Sequence, residues 1–242
     1  MSVYGVISGK GGVGKSLVTT MLAVEGNRRG LTTAILDGDL TGPSIPKSFG
    51  LGEKPLMQRD GKIIPAVTKT GIQVVSVNLI LEDPTEPVVW KGPILTSAID
   101  QFWNETHWKN VDMTFVDMPP GTGDIAIKVM KDIPLKGIIL VSTPQDLVTM
   151  IMKKAANLAK QLNVPILGLV ENMSYFLCSD CGKKHEIFGE SQVEKVAKEL
   201  GIGTIAKIGL YPEIGKAIDE GRAEEIDTEE ITPIVDRLVL EV

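Results

Sequence analysis

Cysteine is almost absent from the chain: Cys178 and Cys181 are its whole supply in 242 residues. One Cys-x-x-Cys pair in a chain this long excludes a disulfide scaffold and points to a reducing, cytoplasmic compartment. Basic charge is also short, with 25 Lys+Arg against 31 Asp+Glu, a net charge of −6 and a pI near 5.1. No general field attracts phosphate backbones or anionic lipid, so neither nucleic acid nor membrane is expected as a partner. No run of uncharged apolar residues is long enough to span a bilayer, and the opening MSVYGVISGKGG lacks the basic region and apolar stretch of a signal peptide. Internal repeats, low-complexity tracts and linkers are missing too. What is present is 43% hydrophobic residues, which excludes disorder as the main state. A single domain over 1–242 is expected, a size at which roughly 70–75% of the unfolded surface is buried.

Apolar runs of strand length recur at 3–8, 33–36, 72–77, 113–116, 137–142, 165–170 and 204–210. They are continuous rather than alternating, the pattern of strands buried on both faces of a parallel sheet. Helical periodicity fills 15–29, 93–106, 123–131, 145–162, 189–200 and 229–240; in 145–162, Leu147, Met150, Ile151, Leu158 and Leu162 share a core-facing stripe. The expectation is an α/β fold, a doubly wound and mostly parallel sheet of about seven or eight strands flanked by helices. Two stretches break the rhythm: a Gly- and Pro-rich excursion at 41–71, with a hairpin around Asp60-Gly61, and 172–188, which carries both cysteines.

Residues 9–16 read Gly9-Lys10-Gly11-Gly12-Val13-Gly14-Lys15-Ser16, a full match to the phosphate-binding pattern G-x-x-x-x-G-K-[ST]. A strand feeds it and an amphipathic helix follows, so backbone N–H groups and a helix N-terminus converge on the phosphates of ATP. Lys15 can reach the β- and γ-phosphates, Ser16 can ligate Mg²⁺, and Leu17 completes the cradle. Hydrolysis also needs a metal anchor and a group that orients water. Asp37, Asp39 and Asp117 close apolar runs, at the sheet edge where ligands bind. Asp117 suits the magnesium shell, Asp39 the water, and Asp37 is divided between such a role and capping its own loop. Lys10 sits among the loop's variable positions, where it either points outward to a two-fold partner's phosphate or is a solvated surface lysine.

GKGGVGKS resembles the deviant phosphate loop of the MinD, ParA and nitrogenase iron-protein class. Within that class DGDLTGPSIP (37–46), VWKGP (89–93), DMPPGTGD (117–124), STPQ (142–145) and ENMSYFLCSDCG (171–182) are similar to the Mrp/ApbC (Nbp35-like) family. The resemblance covers nearly the whole chain. It implies a homodimeric P-loop ATPase that hydrolyses ATP slowly and carries an iron–sulfur cluster to recipient apoproteins. It also implies that Lys10 reaches the partner's nucleotide, that Asp39 lies in the first switch and Asp117 to Gly121 in the second, and that Asn172 with the Pro212-Glu213 loop holds adenine. The chain opens directly on the ATPase strand, without the N-terminal cysteine cluster some members carry.

A lone Cys-x-x-Cys can be a redox pair, half a metal site or an accident. Zinc and a [4Fe–4S] cluster each take four thiolates, and two per chain become four across the two-fold axis that Lys10 also suggests. Thiolates suit Zn²⁺ and iron alike, and His185 is a candidate third ligand within one chain. Two competing functions remain from the sequence: a MinD/ParA-like positioning ATPase, disfavoured by the acidic C-terminal segment ITPIVDRLVLEV, and a zinc-stapled nucleotide-dependent regulator.

Overall fold

The computed structural model describes residues 1–39, 44–51, 56, 58–76, 79, 92–145 and 150–241. In chain order the elements are β1 (Ser2–Ser8), α1 (Lys15–Arg28), β2 (Thr33–Asp37), α2 (Ile45–Ser48), β3 (Gln58–Arg59), β4 (Lys62–Ile63), β5 (Ala66–Val67), β6 (Gln73–Ser76), α3 (Gly92–Asn104) and β7 (Met113–Asp117). There follow α4 (Asp124–Asp132), β8 (Gly137–Ser142), α5 (Met150–Gln161), β9 (Ile166–Glu171), β10 (Phe176–Leu177), β11 (Lys184–His185), α6 (Val193–Leu200), β12 (Ile205–Lys207), α7 (Pro212–Asp219) and α8 (Thr232–Val239).

Eight strands form one sheet in the order β12-β9-β8-β1-β7-β2-β6-β5. Every pairing is parallel except the edge strand β5, which runs antiparallel to β6. The continuous apolar runs are explained by burial on two faces: every residue of β1, β2, β7 and β8 is buried. On one face Ile7, Val116 and Leu140 pack against Phe102 of α3, Val129 of α4, Ala155 of α5 and Val196 of α6. On the other, Tyr4, Phe115 and Val141 pack against Leu22 of α1, Ile214 of α7 and Val235 of α8. Helices on both faces make the sheet doubly wound, as the sequence predicts.

The Asp60-Gly61 hairpin is present as β3–β4, with φ of 54° and 72° at the two turn residues, the pair of left-handed positions that a two-residue turn matching strand twist demands. Leu158 and Leu162 of the predicted α5 stripe pack against the first core face; the side chains of Leu147, Met150 and Ile151 lie outside the described residues, as do residues 40–43 of the first switch motif and 89–91 of VWKGP. Three local readings change. The predicted helix at 189–200 begins only at Val193, and that at 229–240 divides into a 3-10 turn at Glu229–Ile231 and α8, which has proline in its first turn. The Pro212-Glu213 loop is instead the first turn of α7, again with proline at the position that sacrifices no hydrogen bond. Among the described residues no helix is long and apolar enough to cross a membrane.

Candidate functional site

The site lies at the carboxyl edge of the central strands β1, β7 and β2. β1 ends at Ser8, whose hydroxyl donates to the Lys10 carbonyl at 2.9 Å, and the loop then turns through Gly12 and Gly14 with φ of 80° and 81°. Those two positions need glycine's tolerance of left-handed backbone. Gly14 is also the N-cap of α1 and supplies no side-chain cap, which leaves the first-turn N–H groups to a ligand. A cleft of about 360 Å³ opens beside them. Gly11, Gly12, Gly14, Lys15, Ser16 and Leu17 of the loop line it together with Asp39, Pro120, Ile45 and Ile218. Gly9 sits at the strand exit with its carbonyl near Gly121, and Val13 is buried in the core.

Lys15, Ser16 and Asp117 form one cluster. The Lys15 ammonium lies 2.7 Å from Asp117 Oδ1 and 3.6 Å from Asp39 Oδ2. Ser16 donates its hydroxyl to Asp117 Oδ2 at 2.6 Å, and Thr19 donates to Oδ1 at 2.8 Å. Thr19 was not singled out in the sequence; its place one helical turn after Lys15, facing the end of β7, is the signal that could have found it. Although Lys15 is ion-paired, its buried ammonium has no aligned hydrogen-bond acceptor. A buried ammonium that lines a glycine-walled cleft fits an oxyanion such as a phosphate chain, and Ser16 with Asp117 fits a magnesium ion beside it.

Asp37 and Asp117 end adjacent strands and are register partners. Asp37 is wholly buried, and burial, followed by the negative charge of Asp117, pushes its carboxyl up to about 8. It accepts from Ser76 Oγ at 3.0 Å and from the Asp39 backbone N–H at 3.2 Å. The capping alternative is therefore realised in the structure, while Asp39 faces the cleft. This proton has a sign that can be tested. The folded chain keeps it up to about pH 8, whereas an unfolded aspartate releases it near 3.8, so between those values the folded state binds more protons and stability falls as pH rises. Denaturant unfolding without nucleotide should show a smaller loss of stability from pH 5 to pH 8 in Asp37→Asn than in the unaltered chain. Equal losses would show that Asp37 is ionised in the folded protein.

The cysteines occupy the turn of a separate hairpin, β10–β11. Cys178 N–H donates to the Lys183 carbonyl at 3.0 Å, Gly182 N–H donates to the Cys178 carbonyl at 2.9 Å, and Gly182 takes a φ of 68°. Both thiols are free, Cys178 half-buried and Cys181 exposed. Hydrogen bonds from the backbone N–H groups of Cys181 and Asp180 lower the pKa of Cys178, favouring the thiolate that binds metals. Among the described residues no third Cys, His, Asp or Glu joins the pair as a ligand set. His185 is exposed, in register with Phe176, and is not brought into such a set.

Asn172 is buried at the exit of β9, where its side-chain amide donates to the Val13 carbonyl at 2.9 Å. A Cβ on Gly14 would fall 2.1 Å from that amide nitrogen, so Asn172 supports the phosphate loop from behind. Pro212 opens α7, and Glu213 lines a second hollow of about 360 Å³ with Tyr211, Ile214 and Ala217. Ile218, one turn further along α7, belongs to the phosphate cleft. Lys10 is exposed at the rim of the loop.

Residues 1–242 match the family described as NUBPL iron-transfer P-loop NTPase. The iron-sulfur cluster carrier protein of Clostridium perfringens is 43% identical over 231 residues, covering 93% of this chain and 81% of that protein. The iron-sulfur cluster carrier protein of Methanocaldococcus jannaschii is 41% identical over 239 residues, 97% and 82% of the two chains. Among solved structures, a nucleotide-binding protein from Archaeoglobus fulgidus in complex with ADP superposes with a TM-score of 0.84 at 37% identity, covering 93% of this chain and 88% of that one. The cell-division ATPase MinD of Pyrococcus furiosus, at 19% identity and a TM-score of 0.72, shares the fold. Matched along its whole length by the family and at 43% identity by a relative covered to 81%, the chain belongs to the NUBPL iron-transfer P-loop NTPase family.

Proposed function

We propose that this protein is an ATP-dependent carrier of iron–sulfur clusters, which binds Mg·ATP in the 9–17 cradle, hydrolyses it slowly, and delivers a cluster held by Cys178 and Cys181 to apoproteins in the cytoplasm. The observation that carries this reading is the cysteine turn: two accessible thiols, one with its thiolate favoured by backbone donors, stand without a third ligand among the described residues. Half a site fits a cargo that is shared and passed on better than a structural metal that must be fully enclosed. Relatives named as cluster carriers support the same cargo.

In this scheme Lys15 holds the β- and γ-phosphates and Asp39 orients the attacking water. Magnesium, held by Ser16 with Asp117 behind it, would neutralise charge developing on the phosphates. Asn172, Pro212 and Glu213 serve the adenine end. Two copies act together: Lys10, exposed at the loop rim, reaches the partner's phosphates, and the two cysteine pairs supply four thiolates. Anaerobic purification followed by iron, sulfide and zinc analysis tests the cargo. A brown protein with about four irons and four sulfides per two chains is expected. A colourless one holding zinc and no sulfide, after reconstitution with iron and sulfide, would replace the carrier by a zinc-stapled regulator.

A further inference from the structure

Between the phosphate loop and the cysteine turn runs a strap, residues 172–177, in which successive residues are tied to a different neighbour. Asn172 holds the Val13 carbonyl. Met173 takes a φ of 56°, a left-handed conformation uncommon for a residue with a long side chain. Ser174 N–H donates to the Ile208 carbonyl at 2.8 Å, and the Tyr175 carbonyl accepts from Leu210 N–H at 2.7 Å. Phe176 bridges Leu210 and is the first residue of the cysteine hairpin.

Tyr175 is where three parts of the molecule meet. Its hydroxyl donates to Glu230 Oε1 and lies 2.9 Å from the Tyr211 hydroxyl. Tyr211 caps α7, the helix that lines the cleft, and itself donates to Glu230 at 3.2 Å. Glu230 closes the cluster by accepting Gly209 N–H at 2.9 Å through its other oxygen. From the cysteine hairpin, Lys184 sets its ammonium 4.0 Å over the Tyr175 ring. Burial, followed by the Glu230 hydrogen bond, raises the Tyr175 pKa, so the phenol stays a donor. Gly209 leaves the room this requires, since a Cβ there would meet both tyrosine rings within 2.9 Å.

We propose that Tyr175 is a positioning residue that couples the nucleotide cleft to the cargo site: its hydroxyl, clamped by Glu230 and Tyr211, makes a shift of α7 or of the phosphate loop felt at Cys178. The proposal rests on the carrier function proposed above. A hairpin with only four ladder residues is too small to hold its own orientation, so the clamp sets the angle at which the cysteines are presented. Coupling of this kind acts in both directions, so whatever nucleotide does to the cargo's affinity, cargo does to the nucleotide's.

The test is Tyr175→Phe, which removes the hydroxyl and keeps the ring under Lys184. With reconstituted full-length protein, the rate at which a ferrous chelator strips the cluster is measured with and without Mg·ATP, alongside ATP affinity and iron content. The unaltered protein should show a rate ratio of about fivefold or more, the low end of ordinary coupling. Tyr175→Phe should keep ATP affinity and iron content while its ratio falls below about twofold; Glu230→Gln, which weakens the clamp from the opposite side, should do the same. An undiminished ratio in both variants overturns the proposal, as does a ratio of one in an unaltered protein that binds both cluster and ATP, a result that leaves the carrier function standing. Loss of ATP affinity or of iron in both variants would make the clamp merely structural. An unaltered protein that takes up no iron and sulfide removes the carrier function and the coupling together.

Discussion

Lys15→Ala is expected to bind ATP roughly 30-fold to several thousand-fold more weakly than the unaltered chain, the effect of about 2–5 kcal/mol for truncating one partner of a buried charge pair. The Lys15 side chain is 6% exposed, with its ammonium buried, so a phosphate that meets it gains a charge-assisted contact in a site where water competes poorly. The same substitution should lower the melting temperature of the nucleotide-free protein. Asp117, wholly buried beside Asp37, would keep, among the described residues, the Ser16 and Thr19 hydroxyls, and breaking a buried pair costs about 3–5 kcal/mol, or roughly 6–20 °C at this chain length. Lys10→Ala is the control. Lys10 is exposed at the rim, so its loss should leave affinity and melting temperature near their starting values and lower turnover alone, if its target is the partner's nucleotide. Calorimetry giving equal ATP affinities for Lys15→Ala and the unaltered protein would show that the cradle is not the nucleotide site.

The architecture was legible because burial on both faces of the sheet writes itself as uninterrupted apolar runs, and Ile7 and Tyr4 pack on opposite faces as that pattern requires. The phosphate loop was legible because its chemistry needs glycines and a lysine at fixed spacing. Elements shorter than a helical turn or two were not, except the β3–β4 hairpin, whose Asp60-Gly61 turn announces it. α2 has four residues and β10 and β11 two each, too short for any periodicity, and α7 was hidden because Pro212 reads as a breaker until its first-turn position is known. Sequence placed Asp37, Asp39 and Asp117 at one edge and assigned magnesium to Asp117 and water to Asp39, but left Asp37 unseparated from such roles. The separation is made by depth: Asp37 is sealed under the loop it caps, and Asp39 stands in the cleft. The Tyr175, Tyr211 and Glu230 cluster joins residues 55 positions apart, a long-range contact that no local pattern announces.

Cys178→Ser should cost nearly all of the bound iron or zinc, because a two-fold site built from one pair per chain loses two of its four ligands at once. Serine cannot substitute: its hydroxyl is far less acidic than a thiol, and soft metal centres prefer sulfur. The backbone N–H groups of Cys181 and Asp180 that lower the Cys178 pKa would be left facing a neutral oxygen. Because the turn stands on its own hairpin, with Cys178 N–H bonded to Lys183 and not to the phosphate loop, ATP binding at the cradle should survive. Metal that bridges two chains also adds its binding free energy to their association. In sedimentation without nucleotide, the metal-loaded unaltered protein should therefore run as a dimer at concentrations where Cys178→Ser has dissociated, and stripping the metal from the unaltered protein should reproduce the mutant. A mutant that retains its full metal content, or metal found on a monomeric chain with His185 completing the site, would show that the four thiolates are not shared across the two-fold axis.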